Sequence, residues 1–336
     1  MRHSKYFRKE LFSETVNAVE VQTLKIKSNE LFDKNSLTTI CEIFHVNADD
    51  ITDIVVLKKG MTNRSYIFKC HEKRYIIRIS GIGTEKLINR YQEKDVYETI
   101  KGQNICDPVV YINPENGCKI TEYLENSRVC DPMNESDVKR CMELLRKLHK
   151  KKLIVGHEFD IFGQIEKYQR LWGEFQSVYE DYEETKRKVY LLKNYIDCHV
   201  SEKVLTHIDA VPDNFLFVQN EDGQEYIRLI DWEYAGMQDP HVDIAMFGIY
   251  SLYDREQMEK LIDNYFIEGC LKEIRIKIHC YIAVCGLLWS NWCEYKEKLG
   301  ISFGEYATRQ YQYAKEYSQL ALEELEEIGE WVTCIK

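Results

Sequence analysis

The chain has 336 residues, a formal net charge of −11 and 44% hydrophobic residues. This length allows one large or two modest domains, and the hydrophobic content is enough for a packed core. The negative charge argues against nucleic acid or an anionic membrane as the main partner, because both attract clustered basic surface. The longest apolar run, from Cys280 to Trp289, is too short to cross a bilayer, so we expect no membrane insertion.

The twelve cysteines show no paired C-x-x-C spacing, and no N-terminal signal pattern is recognisable. We therefore expect reduced thiols rather than disulfides or zinc ligands. On this basis the sequence predicts a cytoplasmic protein.

Residues 1–35 are mixed and polar and are interpreted as an N-terminal extension, with a helical extension and a partner-binding arm as the open alternatives. Three predicted strands follow, at residues 54–57, 65–69 and 74–79. The loop between the first two strands contains Gly60, Thr62 and Asn63. A glycine followed by short polar residues lets backbone N–H groups approach phosphates closely. The loop is a candidate phosphate-binding turn, and a plain hairpin turn is the alternative.

Arg78 alternates with apolar neighbours in the third strand and is a candidate phosphate-binding residue. A guanidinium can hold phosphate oxygens through two parallel hydrogen bonds, although its geometry differs from that of an ammonium. Residues 84–97 predict a helix with Thr84 as its N-cap, and Glu93 lies far enough along it to pair with Arg78. The rivals for this pairing are Glu85 and Glu98. A charged strand edge is the alternative role for Arg78.

The turn at residues 113–117, Asn-Pro-Glu-Asn-Gly, is a strong hairpin signal between two further strands. The segment from Glu122 to Leu124 is the predicted hinge between two lobes, with backbone groups available to adenine. We therefore expect a nucleotide-binding lobe over residues 36–123 and a catalytic and substrate-binding lobe over residues 124–336. The helices predicted in the second lobe cover 134–151, 161–199, 242–253, 255–268, 271–298 and 304–327.

The most informative motif begins at His207, where the order H-x-D-x-x-x-x-N matches the catalytic loop of kinases. Asp209 is the candidate catalytic base, which orients and deprotonates an acceptor hydroxyl. Asn214 supplies an amide oxygen, and Asp231 supplies a carboxylate at the end of an apolar strand. Such oxygen ligands suit Mg²⁺ on ATP phosphates. Each residue alone is an ordinary turn or strand-end residue, but their joint order favours a phosphoryl-transfer site.

Five motifs together resemble the choline/ethanolamine kinase family, in particular its bacterial choline kinase branch. They lie at residues 60–64, 83–85, 207–214, 230–235 and 288–292. The resemblance runs from about residue 36 to about residue 320 and extends in fold to aminoglycoside phosphotransferases. It implies an α+β, bilobal protein-kinase-like fold, with an N-terminal antiparallel sheet lobe and a mostly helical C-terminal lobe. It also implies ATP-dependent and Mg²⁺-dependent phosphorylation of a small alcohol.

Trp289 and Trp292 are three residues apart in an apolar helix and share one face. Core packing is the common role of such a pair. A quaternary ammonium, however, is recognised by aromatic faces, because it has no N–H to donate. By the resemblance, the choline cage consists of Tyr234, Trp289, Trp292 and Tyr306. The resemblance also implies that Trp232 has a structural role. It implies that Asp243 orders the catalytic loop rather than binding the metal.

Three hypotheses follow from the sequence. The first is a choline kinase that makes phosphocholine. The second keeps the reaction but takes ethanolamine, an aminoglycoside or another small amino alcohol. The third is a catalytically inactive kinase-like protein that binds choline or a protein partner. The sequence does not fix the oligomeric state, and a homodimer stays open.

Overall fold

The computed structural model describes residues 34–57, 63–81, 87–200 and 202–330. Four residues with predicted roles lie outside these ranges. They are Gly60 and Thr62 of the candidate phosphate-binding turn, the predicted N-cap Thr84, and Glu85, a rival for pairing with Arg78. The chain forms two compact units. Unit 1 comprises Met1–Val129 and Asp213–Glu233, and unit 2 comprises Cys130–Pro212 and Tyr234–Lys336.

The described ranges contain both helices and strands. The helices are α1 (Lys34–Phe44), α2 (Arg90–Ile100), α3 (Glu135–Lys150), α4 (Ile161–Leu171), α5 (Tyr182–Leu191), α6 (Lys193–His199), α7 (His241–Tyr250), α8 (Arg255–Tyr265), α9 (Lys272–Lys298) and α10 (Glu305–Glu327). The strands are β1 (Thr52–Val56), β2 (Asn63–Cys70), β3 (Lys73–Ser80), β4 (Val109–Asn113), β5 (Cys118–Glu122), β6 (Ser127–Val129), β7 (Val204–Thr206), β8 (Phe215–Gln219), β9 (Glu225–Leu229) and β10 (Gly236–Gln238).

Unit 1 is built on a five-stranded antiparallel sheet in the order β1-β2-β3-β5-β4. A second antiparallel sheet has the order β6-β8-β9. Helix α1 buries Ile40 in a core with Phe68, Tyr75 and Ile77. The ring of Phe44 adds to this core, with its centroid 4.6 Å from that of Tyr75. This packing fixes the sheet that carries Arg78 on β3.

The helix that carries Glu93 begins at Arg90, not at Thr84 as the sequence predicts. Asn89 is its N-cap, and the Asn89 side chain accepts hydrogen bonds from the N–H groups of Tyr91 and Gln92 at 3.1 and 3.3 Å. The predicted start was wrong because asparagine caps a helix at least as well as threonine.

Unit 2 is mostly helical, and its longest helix, α9, is buried from Ile276 to Lys296. Gly286 allows α10 to approach closely, because an added Cβ would lie 2.8 Å from the backbone N of Ala314 and from the carbonyl of Gln310. Strands β7 and β10 form a two-stranded antiparallel sheet. Among the helices in the described ranges, none has the length and apolar character needed to cross a membrane.

The predicted helix over residues 161–199 is divided into α4, α5 and α6. Glu294 of α9 accepts hydrogen bonds from the Ser177 hydroxyl at 2.7 Å and from the Val178 N–H at 3.1 Å. These bonds hold the connection between α4 and α5 in a non-helical conformation. The segment is therefore helical as predicted over most of its length, and a contact over more than 100 residues, such as that of Glu294, is invisible to local periodicity.

The predicted fold class is confirmed, since an antiparallel sheet unit is followed by a mostly helical one. The compact units do not reveal which residues bind nucleotide. The functional division at residues 36–123 and 124–336 therefore stays a prediction.

His279 joins three helices of unit 2, because its ring contacts Glu259 of α8 at 3.0 Å and Glu324 of α10 at 2.7 Å. Burial lowers the pKa of His279, but hydrogen bonds to the two glutamates outweigh it and raise the pKa above its ordinary value. A group whose pKa is raised by folding binds its proton more tightly in the folded state, and this stabilises the protein. The contribution is complete below the unfolded-state pKa of about 6.5 and is lost as the pH rises through the folded-state pKa.

We therefore expect the free energy of unfolding to fall as the pH rises above about 6.5. Replacing the ring by His279→Gln should remove that part of the slope. Urea denaturation of both proteins at several pH values measures it. Equal slopes would show that His279 does not titrate differently in the folded chain.

Candidate active site

Arg78 of β3 and Glu93 of α2 form a buried, two-pronged ion pair in unit 1. Arg78 Nη1 donates to Glu93 Oε1 at 2.6 Å, and Nη2 donates to Oε2 at 2.8 Å. The Arg78 side chain is 7% exposed and that of Glu93 is 0% exposed. The pairing predicted from the sequence is therefore present. Glu98, a rival for this pairing, instead lies 3.5 Å from Lys94.

Two further cations surround Glu93. Arg90 donates to Glu93 Oε2 at 2.7 Å, and the Lys119 ammonium lies 3.6 Å from Oε1. Burial raises the pKa of Glu93, but Arg78, Lys119 and Arg90 outweigh it and lower the pKa to about 2. Burial disfavours the charged form of Arg78 and so lowers its pKa. The neighbouring carboxylates outweigh burial and raise the pKa above its ordinary value. Both groups of the pair are therefore charged near neutral pH.

Asp231 and Glu233 bring two more carboxylates to Arg78. Asp231 Oδ1 and Glu233 Oε2 lie 3.6 and 3.4 Å from Arg78 Nη1. Glu93, Asp231 and Glu233 each offer an oxygen within 4.8 Å of the others. Glu233 is buried, and burial and the neighbouring Asp231 raise its pKa. The side chain of Asp231 is 37% exposed and is therefore the accessible carboxylate of the three.

The backbone around Asp231 is held in an unusual conformation. Asp231 has φ +65°, in the left-handed region that few residues other than glycine adopt. The N–H of Ile230 donates to the carbonyl of Asn214 at 2.9 Å. This bond places the two predicted metal ligands on adjoining strand ends.

In unit 2, Asp243 fixes the loop that carries Asp209. Its carboxylate accepts the N–H of His207 at 3.0 Å and that of Ile208 at 2.8 Å, and it contacts His149 Nε2 at 3.0 Å. Ile208 has φ +67°, which a β-branched residue adopts only under constraint. Asp209 is half-buried. The predicted loop-ordering position of Asp243 is confirmed by these bonds.

The predicted cage residues of unit 2 belong to a connected row of aromatic rings. The ring centroids of Tyr234 and Trp289 are 5.7 Å apart, and those of Trp289 and Trp292 are 5.5 Å apart. Phe303 continues the row, at 5.1 Å from Trp292 and 6.4 Å from Tyr306. The Tyr234–Trp289 and Trp289–Trp292 pairs are near-perpendicular, at 83° and 75°, the edge-to-face arrangement that aromatic quadrupoles prefer, and the two pairs of Phe303 are tilted.

Trp292 differs from the other described tryptophans in its hydrogen bonding. Its Nε1 is buried without a hydrogen-bond partner, whereas Trp172 donates to the carbonyl of Asn291 and Trp289 contacts the sulfur of Met246. Trp232 is fully buried and donates to the carbonyl of Leu229, which confirms its structural role. An unsatisfied buried N–H costs about 1–3 kcal/mol, so Trp292 contributes less to stability than a tryptophan whose N–H is bonded.

The predicted hinge lies at the end of β5. The N–H of Glu122 donates to the carbonyl of Pro108 at 2.9 Å, and the N–H of Tyr123 donates to that of Arg74 at 3.0 Å. The carbonyl of Leu124 accepts the Ser127 hydroxyl at 2.8 Å. The predicted contacts from this segment to adenine would therefore use its other backbone atoms.

Sequence reasoning missed four contributors to these clusters. They are Arg90, Lys119, Glu233 and Phe303. Arg90 is on the same helix face as Glu93, three residues earlier, and Glu233 follows Asp231 by two residues, so spacing could have indicated both. No local pattern indicates Lys119 or Phe303.

Comparison with known proteins agrees with this fold. The crystal structure of choline kinase LicA from Streptococcus pneumoniae shares 30% identity with this chain, covers 85% of it and 99% of that chain, and has a TM-score of 0.72. A crystal structure of LicA in complex with AMP shares 29% identity, with 86% and 97% coverage and a TM-score of 0.70. The protein LicA of Haemophilus influenzae (strain KW20) is 26% identical over 264 residues, which are 74% of this chain and 95% of that protein.

The fold and the charged site therefore define a phosphotransferase with the architecture of small-molecule kinases. The choline/ethanolamine kinase model matches residues 54–315. The chain belongs to the choline/ethanolamine kinase family.

Proposed function

We propose that this protein is a choline kinase, which transfers the γ-phosphoryl group of ATP to the hydroxyl of choline to give phosphocholine. The observation that supports choline as the acceptor is the row of aromatic rings formed by Tyr234, Trp289 and Trp292. A trimethylammonium has no N–H donor, and aromatic faces attract it through their quadrupoles. The likeness to the Streptococcus pneumoniae choline kinase supports the same acceptor.

The nucleotide contacts are assigned to unit 1. Arg78, held by Glu93, presents its guanidinium to phosphate oxygens, and Asn63 begins β2 beside the same charges. We assign adenine contacts to the backbone of Glu122 and Leu124. Gly60 and Thr62 are proposed to approach the phosphates and lie outside the described residues. The AMP complex of the related LicA supports nucleotide binding.

The oxygen donors fit Mg²⁺, because the half-exposed carboxylate of Asp231 and the amide of Asn214 are hard ligands on adjoining strand ends. When bound, Mg²⁺ neutralises charge on the transferring phosphoryl oxygens. Asp231 and Asn214 would hold the ion. Asp209 orients the choline hydroxyl and takes its proton, and Asp243 fixes the backbone on which Asp209 depends.

The experiment that tests this proposal identifies the product. Purified protein with ATP, choline and Mg²⁺ should give phosphocholine and ADP, followed by phosphorus NMR. Chelation with EDTA should stop the reaction, and added Mg²⁺ should restore it. ADP formation without phosphocholine, or phosphocholine formation that survives chelation, would contradict the proposal.

A further inference from the structure

Arg90 provides a second buried guanidinium in unit 1. We define the charge cluster as Arg78, Arg90, Lys119, Glu93, Asp231 and Glu233. Arg90 is 9% exposed, and its Nη1 donates to Glu93 Oε2 at 2.7 Å and to Glu233 Oε2 at 2.8 Å. Its Nη2 donates to Asn63 Oδ1 at 2.9 Å. One side chain therefore joins the start of β2, helix α2 and the segment after β9.

Glu233 depends on Arg90 for its charge balance. The Glu233 side chain is 3% exposed, and its Oε2 lies 2.8 Å from Arg90 but 3.4 Å from Arg78. Asn63 Nδ2 also donates to this oxygen, at 3.1 Å. A buried carboxylate that loses its counter-ion is strongly destabilised, so the nearest remaining cation is drawn to it.

Arg78 is that nearest cation among the described residues. Arg78 donates two hydrogen bonds to Glu93, of 2.6 and 2.8 Å. Its contacts with Glu233 and Asp231 are longer, at 3.4 and 3.6 Å. Without Arg90, a shift of Arg78 toward Glu233 would satisfy the carboxylate. The same shift would turn the guanidinium away from its present direction.

We propose that Arg90 is a positioning residue for nucleotide binding. By neutralising Glu233 and bracing Glu93, it leaves Arg78 directed at the phosphates of ATP. This inference rests on the proposed function, because it takes Arg78 as the phosphate-binding group. Arg90 itself need not touch the nucleotide.

The test measures nucleotide affinity by direct binding and compares it with the steady-state constants. We expect Arg90→Met to raise the dissociation constant for Mg²⁺-ADP about tenfold, the loss expected when one charge-assisted hydrogen bond to phosphate is removed. The KM for ATP should rise in parallel, while kcat falls by less than about threefold, since the acceptor and base are unchanged. Arg90→Lys keeps the charge and should recover part of the affinity.

A second variant separates positioning from folding. Glu233→Gln in the Arg90→Met background removes the charge that would recruit Arg78, so nucleotide affinity should recover relative to Arg90→Met alone. Arg128→Met is the matched control: Arg128 is an arginine of unit 1 that pairs with Glu225 and lies outside the charge cluster. It should bind Mg²⁺-ADP as the unchanged protein does.

Thermal unfolding of each variant distinguishes the outcomes. A folded Arg90→Met that unfolds at lower temperature but binds Mg²⁺-ADP with unchanged affinity would overturn the inference and make Arg90 structural. Failure of the double variant to recover affinity would also overturn it. If the unchanged protein does not bind Mg²⁺-ADP, the proposed function itself fails, and that result is seen before any variant is compared.

Discussion

Asp209→Asn should lower kcat by about a thousandfold or more, because an amide cannot accept the proton of the acceptor hydroxyl. The substitution preserves size and leaves the Asp243 bonds to His207 and Ile208 in place, since those bonds use backbone N–H groups. Nucleotide contacts are assigned to unit 1, so affinity for Mg²⁺-ADP should change little. Steady-state ADP release and calorimetric titration with Mg²⁺-ADP measure the two quantities.

Asp222→Asn is the control for this experiment, because Asp222 is an exposed aspartate in the turn between β8 and β9. It should retain the turnover of the unchanged protein. Near-normal turnover in Asp209→Asn would refute the assigned role of Asp209. A parallel loss of nucleotide affinity would instead show that the substitution disturbs more than proton transfer.

Trp289→Ala should lower kcat/KM for choline about 30-fold, since a desolvated cation–π contact contributes about 2 kcal/mol. The loss for ethanolamine should be about threefold or less, because its N–H groups can bind hydrogen-bond acceptors instead of depending on ring faces. The ratio of kcat/KM values for the two acceptors is the quantity to measure. It is insensitive to a change in the amount of folded enzyme.

Trp289 is 7% exposed, so its removal also costs stability, and Trp289→Phe provides the conservative comparison. Phenylalanine keeps an aromatic face and should restore most of the preference for choline. Assays should be run well below the unfolding temperature of each variant. Equal losses for choline and ethanolamine would remove the argument that these rings recognise a quaternary ammonium.

The local sequence predicted the strands around the site because alternating side chains and clear turn residues mark them. Strand β3 lies where expected, and helix α3 covers all but the end residues of the helix predicted over residues 134–151. The pairing of Arg78 with Glu93 followed from charge and order along the chain. The start of α2 could not be predicted in this way, because Thr84 and Asn89 are both residue types that cap helices well.

The contacts that the sequence missed are those that join distant segments. Arg90 meets Glu233 across 143 residues, and Glu294 accepts the Ser177 hydroxyl within the helical segment 161–199 from a helix more than 100 residues later. Phe303 enters the aromatic row from the loop before α10, where nothing in its neighbours marks it. Periodicity reports which face of an element is buried, but not which other element it meets.

The most direct test of the central claim is acceptor-dependent ADP release by the purified protein with ATP and Mg²⁺. Choline, ethanolamine and an aminoglycoside should be compared at equal concentrations, and kcat/KM should be determined for each. We expect the kcat/KM for choline to be clearly higher than for the other two acceptors. A higher kcat/KM for ethanolamine or the aminoglycoside would contradict choline recognition and leave a kinase of another acceptor, and no release with any acceptor would contradict the proposed reaction.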